Sequence, residues 1–256
     1  LQRHHLSLHK WQVLPLTIAP QQYHIDMSER LLSTVSADEP PTLYWSQADS
    51  AGLVLGFSQK QDILNPAALA AQQLPIYHRR AGGSAVMVGP SLLGLDVILP
   101  ASHPLVLPDI VESYRWLGEV WVETLRRLGV ETRLVTPGEA HGQRALLKLE
   151  ETHTRETILR RACYGSLSSY EAAAGQRKVV GLDMIRRRAG SLLQAGLLLH
   201  WEIEPIVQLL GYTLEEQASL REGLLERAVG LDTLAGRVVT AREVIAVFES
   251  VLFSLE

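Results

Sequence analysis

Apolar positions along this chain change their period several times, and each change marks an element. In IDMSERLLSTV, which opens at Ile25, the apolar residues Met27, Leu31, Leu32 and Val35 recur at helical spacing with charge between them, which predicts an amphipathic helix. Short apolar runs follow at 42–45, 53–57, 76–78, 85–88 and 93–99, all of strand length. In GLDVILP the residues Leu95, Val97 and Leu99 alternate as on a strand with one buried face. The stretch PDIVESYRWLGEVWVETLRRLG, from Pro108, puts Ile110, Tyr114, Leu117, Trp121, Leu125 and Leu128 on one face and is the clearest helix. Beyond Gly129, ETRLV and ALLKL read as strands. Two longer segments, YEAAAGQRKVVGLDMIRRR and SLLQAGLLLHW, read as hairpins turning at Gly175-Gln176 and Ala189-Gly190. From Gly211 the texture becomes helical, and TLEE at Thr213 and TARE at Thr240 each fit a capping box, in which a Thr hydroxyl and a Glu three residues on satisfy the first free amides.

Helices interspersed with antiparallel hairpins predict an α+β protein; the regular strand-helix alternation of a doubly wound fold is missing. The domain reading is a main unit over 1–210 with a small C-terminal helical appendage, 211–256, packed on it. Composition narrows the classes. With 46% hydrophobic and 20% charged residues the 256-residue chain has the makeup of a soluble globular protein. A net charge of −4 supplies no global basic field, so neither nucleic acid nor an anionic membrane is expected as a partner. The single cysteine, Cys163, excludes an internal disulfide and a thiolate zinc cluster, and the nine His form no HExxH spacing, so no metal is expected. The N-terminal LQRHHLSLHKWQVLPL has no signal-peptide-like apolar core and begins without Met, and 191–201 is too short and interrupted to span a bilayer. These features lead us to expect a cytoplasmic protein, acting as a monomer.

Three stretches carry candidate chemistry. In YHRRAGGSAVMV, two glycines between strand-like runs let the backbone approach a ligand and present amides to an anion, with Arg79 or Arg80 as a planar fork. Neither a Walker A pattern nor GxGxxG is present. In RKVVGLDMIRRR, Lys178 precedes a basic run, Arg186 to Arg188, of which at most two can share one face of a strand. Such a run serves as a solvated edge or steers an acidic partner. Asp183, five positions from Lys178, points to the opposite face of a regular strand. The third stretch, CYGSLSSYEAAAGQRK, holds Cys163 and Lys178. Taken alone, a solitary cysteine is a small apolar filler.

Their order says more. LVLGFSQ at 53–59, RRAGGSAV at 79–86, CYGSLSSYEAAAGQRKVVG at 163–181 and LLQAG at 192–196 together resemble the lipoate-protein ligase and octanoyltransferase family, related in fold to biotin protein ligases. The resemblance is strongest to the single-domain, cysteine-dependent octanoyltransferases. It runs from about Ile25 to AVGLDTLAGRVVTAREVIAVF at 228–248. It implies a mixed, largely antiparallel sheet with flanking helices, and transfer of a medium-chain acyl group, octanoyl or lipoyl, to a lysine of lipoyl-carrying domains. Those domains belong to 2-oxoacid dehydrogenase subunits or to the glycine cleavage carrier protein. Lys178 matches the family's lysine, Cys163 the nucleophile of its cysteine-dependent branch, and Arg79, Gly82 and Gly83, with Ser84 and Gly181 beside them, the acyl- or nucleotide-binding motifs. The transferase branch takes octanoyl from acyl carrier protein and needs no cofactor. The ligase branch uses ATP and Mg with lipoate or octanoate and leaves Cys163 incidental.

Several positions depart from the family. Val88 stands where a His commonly follows the glycine loop; Leu182, Asp183 and Met184 replace a small residue, Ala and Gln; Ala195 replaces a frequent His. All fall in pocket-forming motifs and bear on which acyl or nucleotide ligand is held, so a non-catalytic binder of lipoyl domains or acyl ligands is a third reading. The chemistry itself requires an activated acyl carbon, a stabilised oxyanion and a deprotonated amine. A cysteine with a reference pKa of about 8.5 is mostly thiol at neutral pH, and an ammonium such as Lys178 nearby would raise the thiolate fraction. Amides at 82–84 are candidate oxyanion donors, one well-aimed donor being worth roughly 3 kcal/mol. Leu192, Leu193 and Leu197 are candidate walls of an acyl slot, or ordinary core.

Overall fold

The structure, a computed structural model, describes residues 11–254. Most of the N-terminal stretch read above, residues 1–10, lies outside the described residues. A seven-stranded sheet runs in the order β1 (Gln12–Ala19), β2 (Thr42–Ala48), β6 (Leu92–Pro100), β10 (Gly190–Leu198), β9 (Arg177–Arg186), β8 (Ala172–Ala174), β7 (Arg133–Leu134). Only β1 and β2 pair parallel in it. A smaller sheet places β3 (Gly52–Leu55) between β4 (Ile76–His78), parallel, and β5 (Val86–Val88), antiparallel. The helices are α1 (Gln21–Thr34), α2 (Pro66–Gln72), α3 (Arg115–Arg127), α4 (Pro137–Ala145), α5 (Glu150–Leu159), α6 (Glu204–Leu210), α7 (Leu214–Arg227), α8 (Leu231–Ala235) and α9 (Ala241–Phe253). This is the expected α+β architecture with a mixed, largely antiparallel sheet. None of the described helices is long and apolar enough to cross a membrane.

The alternation in GLDVILP divides the sheet into two faces. Leu93, Leu95, Val97 and Leu99 of β6 join Trp45, Leu193 and Leu197 in the main core. Against that core lie Leu117, Trp121 and Leu125 of α3 and Val244, Phe248 and Leu252 of α9. The ring of Phe248 meets Trp45 edge-on at 5.2 Å and Trp121 at 4.7 Å, so α9 closes the core that β6 begins. The opposite face, bearing Leu92, Gly94, Asp96 and Ile98, is left for α1 and the functional site.

Several expectations need correcting. ALLKL is not a strand: Ala145 ends α4, Leu146–Lys148 form a 3-10 turn and α5 follows. Its apolar run is too short for periodicity to decide, whereas Thr136, Pro137 and Glu139 build a complete reciprocal capping box that starts a helix. The helix expected from Pro108 begins at Arg115, because Asp109 turns the preceding chain by accepting from the amides of Val111 and Glu112, and Ile110 is left 49% exposed. Thr213 and Thr240 cap α7 and α9 as expected, accepting from Glu216 N and Glu243 N. Their glutamates are engaged by Arg161 and Arg237. Strand β1 was not foreseen; its Pro15 is tolerated because β1 is a sheet edge, where the pairing shifts register between Leu14 and Thr17.

Candidate active site

A cavity of about 520 Å³ opens between the free face of the large sheet, the small sheet and α1, and both Cys163 and Lys178 line it. Lys178 owes its position to an irregularity in β9. The register jumps from Ala173↔Lys178 to Ala172↔Val180, so Val179 is a bulged residue, and Val179 and Val180 both bury in the main core. Alternation is shifted by one, which turns Lys178, Gly181 and Asp183 to the cavity together. The expectation that Asp183 faces away from Lys178 therefore fails, for a regular strand is what it assumed.

Asp183 does not neutralise the lysine; Glu171 does. Lys178 is 1% exposed, and its Nζ donates to Glu171 Oε1 at 3.1 Å, to the Cys163 carbonyl at 2.8 Å and to the Ser166 carbonyl at 2.7 Å, which uses all three N–H groups. The ammonium also lies 5.0 Å from the centre of the Tyr164 ring. Glu171 further accepts from the amides of Ser168 and Leu182 at 2.7 and 3.3 Å. Burial pushes the Glu171 carboxyl up, against the lowering pull of Lys178. Lys178 thus grips the cysteine through its backbone carbonyl rather than through its thiol.

Cys163 is half-buried and opens a 3-10 turn, Cys163–Gly165, pinned to the small sheet by its own amide on the Ala85 carbonyl at 2.8 Å. Its side chain borders the apolar cluster to which Val54, Val86 and Val88 belong. Tyr164, a buried member of the same cluster, donates to the Gly196 carbonyl at 2.7 Å. The glycine loop lies alongside. Arg79 clamps it, Nε donating to the Gly82 carbonyl at 3.1 Å and Nη2 to the Ser84 carbonyl at 3.2 Å, so this guanidinium braces the loop. Gly83 adopts φ +87°, and its carbonyl would lie 2.0 Å from a Cβ on Gly56, so the loop rests directly on backbone. The amides of Gly83 and Ser84 meet no acceptor among the described residues. Of the expected residues, Arg79, Gly83, Ser84, Gly181, Cys163 and Lys178 line the cavity, whereas Gly82 contributes only its carbonyl to the clamp. Leu192 also lines it, while Leu193 and Leu197 belong to the main core. The basic run has structural duties: Arg186 donates to Pro108 and Ser113, and Arg187 pairs with Glu29.

A second group of cavity residues had no signal in the motifs. Asp96, 6% exposed, accepts from Gln194 Nε2 at 2.9 Å and meets the Ser28 hydroxyl in a short contact; burial pushes its carboxyl up to about 6. His24 is buried beside them, with Nε2 on the Gln47 carbonyl at 3.1 Å and Nδ1 on the Tyr44 hydroxyl at 2.7 Å. A carbonyl can only accept, so Nε2 carries the proton and Tyr44 donates to Nδ1. Burial holds His24 below its ordinary value, consistent with that neutral ring. Glu171 was more accessible to sequence reasoning: the Gly175-Gln176 turn already pairs Ala173 with Lys178, two residues from it. No group of three or more His, Cys, Asp or Glu among the described residues could hold a metal ion.

The geometry has counterparts. Residues 20–253 match the family model of the lipoyl protein ligase A/B catalytic domain. An octanoyltransferase LipM from an Exiguobacterium species is 28% identical over 242 residues, covering 94% of this chain and 84% of the relative. The LipM of Exiguobacterium sibiricum is 30% identical over 243 residues, covering 93% and 83%. Among solved structures, the bipartite lipoate protein ligase of Thermoplasma acidophilum, studied with its E2 lipoyl domain, superposes with a TM-score of 0.74 at 15% identity, covering 97% of this chain and 84% of that one. Lipoate-protein ligase A bound with ATP gives 0.70 at 18%, covering 96% and 85%. Motif order, fold and sequence likeness agree: the chain is an acyl-transferring enzyme of the lipoyl protein ligase A/B catalytic-domain family.

Proposed function

We propose that the chain moves a medium-chain acyl group, of the octanoyl length named for its relatives, from a carrier-protein thioester to a lysine of a lipoyl-carrying domain, through a thioester on Cys163. The observation that carries this reading is the opening of Cys163, Lys178 and the glycine loop on one cavity. In the first step the Cys163 sulfur attacks the acyl carbonyl carbon; its C–S bond forms, the donor's breaks, and the donor sulfur leaves with the proton that Cys163 gave up. In the second the acceptor amine attacks, the amide bond forms, and the proton released by nitrogen returns to the Cys163 sulfur. Each step passes through an oxyanion. The amides of Gly83 and Ser84 are its candidate donors. Lys178 joins them by exchanging a loop carbonyl for the acyl oxygen; otherwise it fixes the turn that presents the thiol. Neither step draws on ATP.

The test is transfer from octanoyl-acyl carrier protein to a purified lipoyl domain, with ATP and Mg omitted. Wild type is expected to octanoylate the domain and Cys163→Ala to be inactive. Transfer that requires ATP and free octanoate or lipoate, and survives Cys163→Ala, would replace this reading by the ligase one.

A further inference from the structure

The register of the large sheet orders its cavity-side face into three rows. Ser46, Gly94, Gly196 and Gly181 pair across β2, β6, β10 and β9 to form one. Two residues further along, Tyr44, Asp96, Gln194 and Asp183 form the next, and Thr42, Ile98, Leu192 and Ile185 the third. Successive rows are about 7 Å apart, two residues at ~3.3 Å each. The reacting end lies over the glycine row, since Glu171 Oε1 bonds both Lys178 Nζ and the Leu182 amide and would sit 3.6 Å from a Cβ on Gly181. The far row is closed by α1, whose Leu32 packs with Val35, Ile98 and Leu192. Between them is the polar row.

An acyl chain attached at Cys163 and laid along this face crosses that row. Eight carbons in zigzag, with bonds of ~1.5 Å, span about 9 Å, so the distal half of the chain falls there. Plain hydrocarbon fits it poorly, because polar groups stripped of water without a partner are costly. What the row presents is unspent hydrogen-bonding capacity, most of it accepting. Ser28 has one hydroxyl proton yet lies within bonding reach of both the His24 carbonyl, at 2.7 Å, and Asp96; a protonated Asp96 donating to Ser28 satisfies all three. Gln194 spends one of its two Nε2 protons on Asp96, which leaves its Oε1 to accept and one N–H to donate, and Asp183 Oδ2, in the field of Arg79, is buried with no hydrogen-bond partner among the described residues.

We infer that the acyl group this cavity takes carries an O–H or N–H donor in its distal half, received by the row of Asp96, Gln194 and Asp183. The inference rests on the proposed attachment at Cys163, and its test does not need the thioester to form. Binding of octanoate and of 8-hydroxyoctanoate to the Cys163→Ser protein is measured by calorimetry. The hydroxy acid should bind about tenfold tighter, the worth of one well-made hydrogen bond. Gln194→Leu, and independently Asp96→Val, should cut that ratio below about twofold. Octanoate binding as tightly as the hydroxy acid, or no measurable binding of either, would overturn the inference. A clear preference for the hydroxy acid, with wild-type Cys163 forming no adduct when given octanoyl or 8-hydroxyoctanoyl thioesters of acyl carrier protein, would uphold the pocket and remove the thioester route.

Discussion

Removing the carboxylate at Glu171 probes the pair on which the site is built. Lys178 and Glu171 are 1% and 2% exposed and 3.1 Å apart, so Glu171→Gln leaves an ammonium in a dry site with only neutral acceptors. Breaking a buried pair from one side costs about 3–5 kcal/mol, the charge having nowhere to go. At roughly 2–4 °C per kcal/mol for a chain of this size, the melting temperature should fall by about 6–20 °C. Replacing both partners, in Glu171→Leu with Lys178→Met, removes the charge as well as its partner and should recover much of that loss, so the double-mutant cycle isolates the coupling. Melting followed by circular dichroism, with urea titrations for the free energies, measures it. A Glu171→Gln loss below about 1 kcal/mol would refute the assignment of Glu171 as the lysine's counter-charge.

Three further outcomes follow from the same geometry. Gly56→Ala puts a Cβ within 2.0 Å of the Gly83 carbonyl, so the loop must shift; acyl transfer should drop at least tenfold while stability falls by only about 1–3 kcal/mol, as steady-state rates and melts would reveal. Asp96 is raised from 3.8 to about 6 by burial, which favours the folded state with the carboxyl protonated. The stabilisation is complete below about pH 4 and lost as pH rises through about 6, a change of about 3 kcal/mol that Asp96→Asn should remove; parallel melting-versus-pH curves would contradict it. Phe248→Ala should cost about 3–5 kcal/mol and still melt in one cooperative transition, because α9 shares its core with Trp45 and Trp121; two separate transitions would contradict that sharing.

The strands around GLDVILP and the hairpins at Gly175 and Ala189 were legible because side-chain alternation and turn chemistry are local. The helices at 137–159 were not: their apolar residues are few and partly exposed, and the TPGE box at Thr136 starts only the first of them. Cys163, Lys178 and the glycine loop came from the order of motifs, which carries family information that no single motif holds. What escaped was the consequence of one extra residue. The bulge at Val179 sets which of Lys178, Asp183 and the valines face the cavity, and a bulge inside an apolar run leaves no mark in the pattern. The rows built on Asp96 and Gln194 depend on pairing between strands almost a hundred residues apart, information that lies in the register.

The central claim is that Cys163 accepts the acyl group. Incubation with octanoyl-acyl carrier protein in the absence of a lipoyl domain, followed by intact mass measurement, tests it most directly. The account predicts one octanoyl adduct that hydroxylamine removes, that disappears in Cys163→Ala and that a lipoyl domain discharges. An unmodified protein that nevertheless octanoylates the lipoyl domain would contradict it.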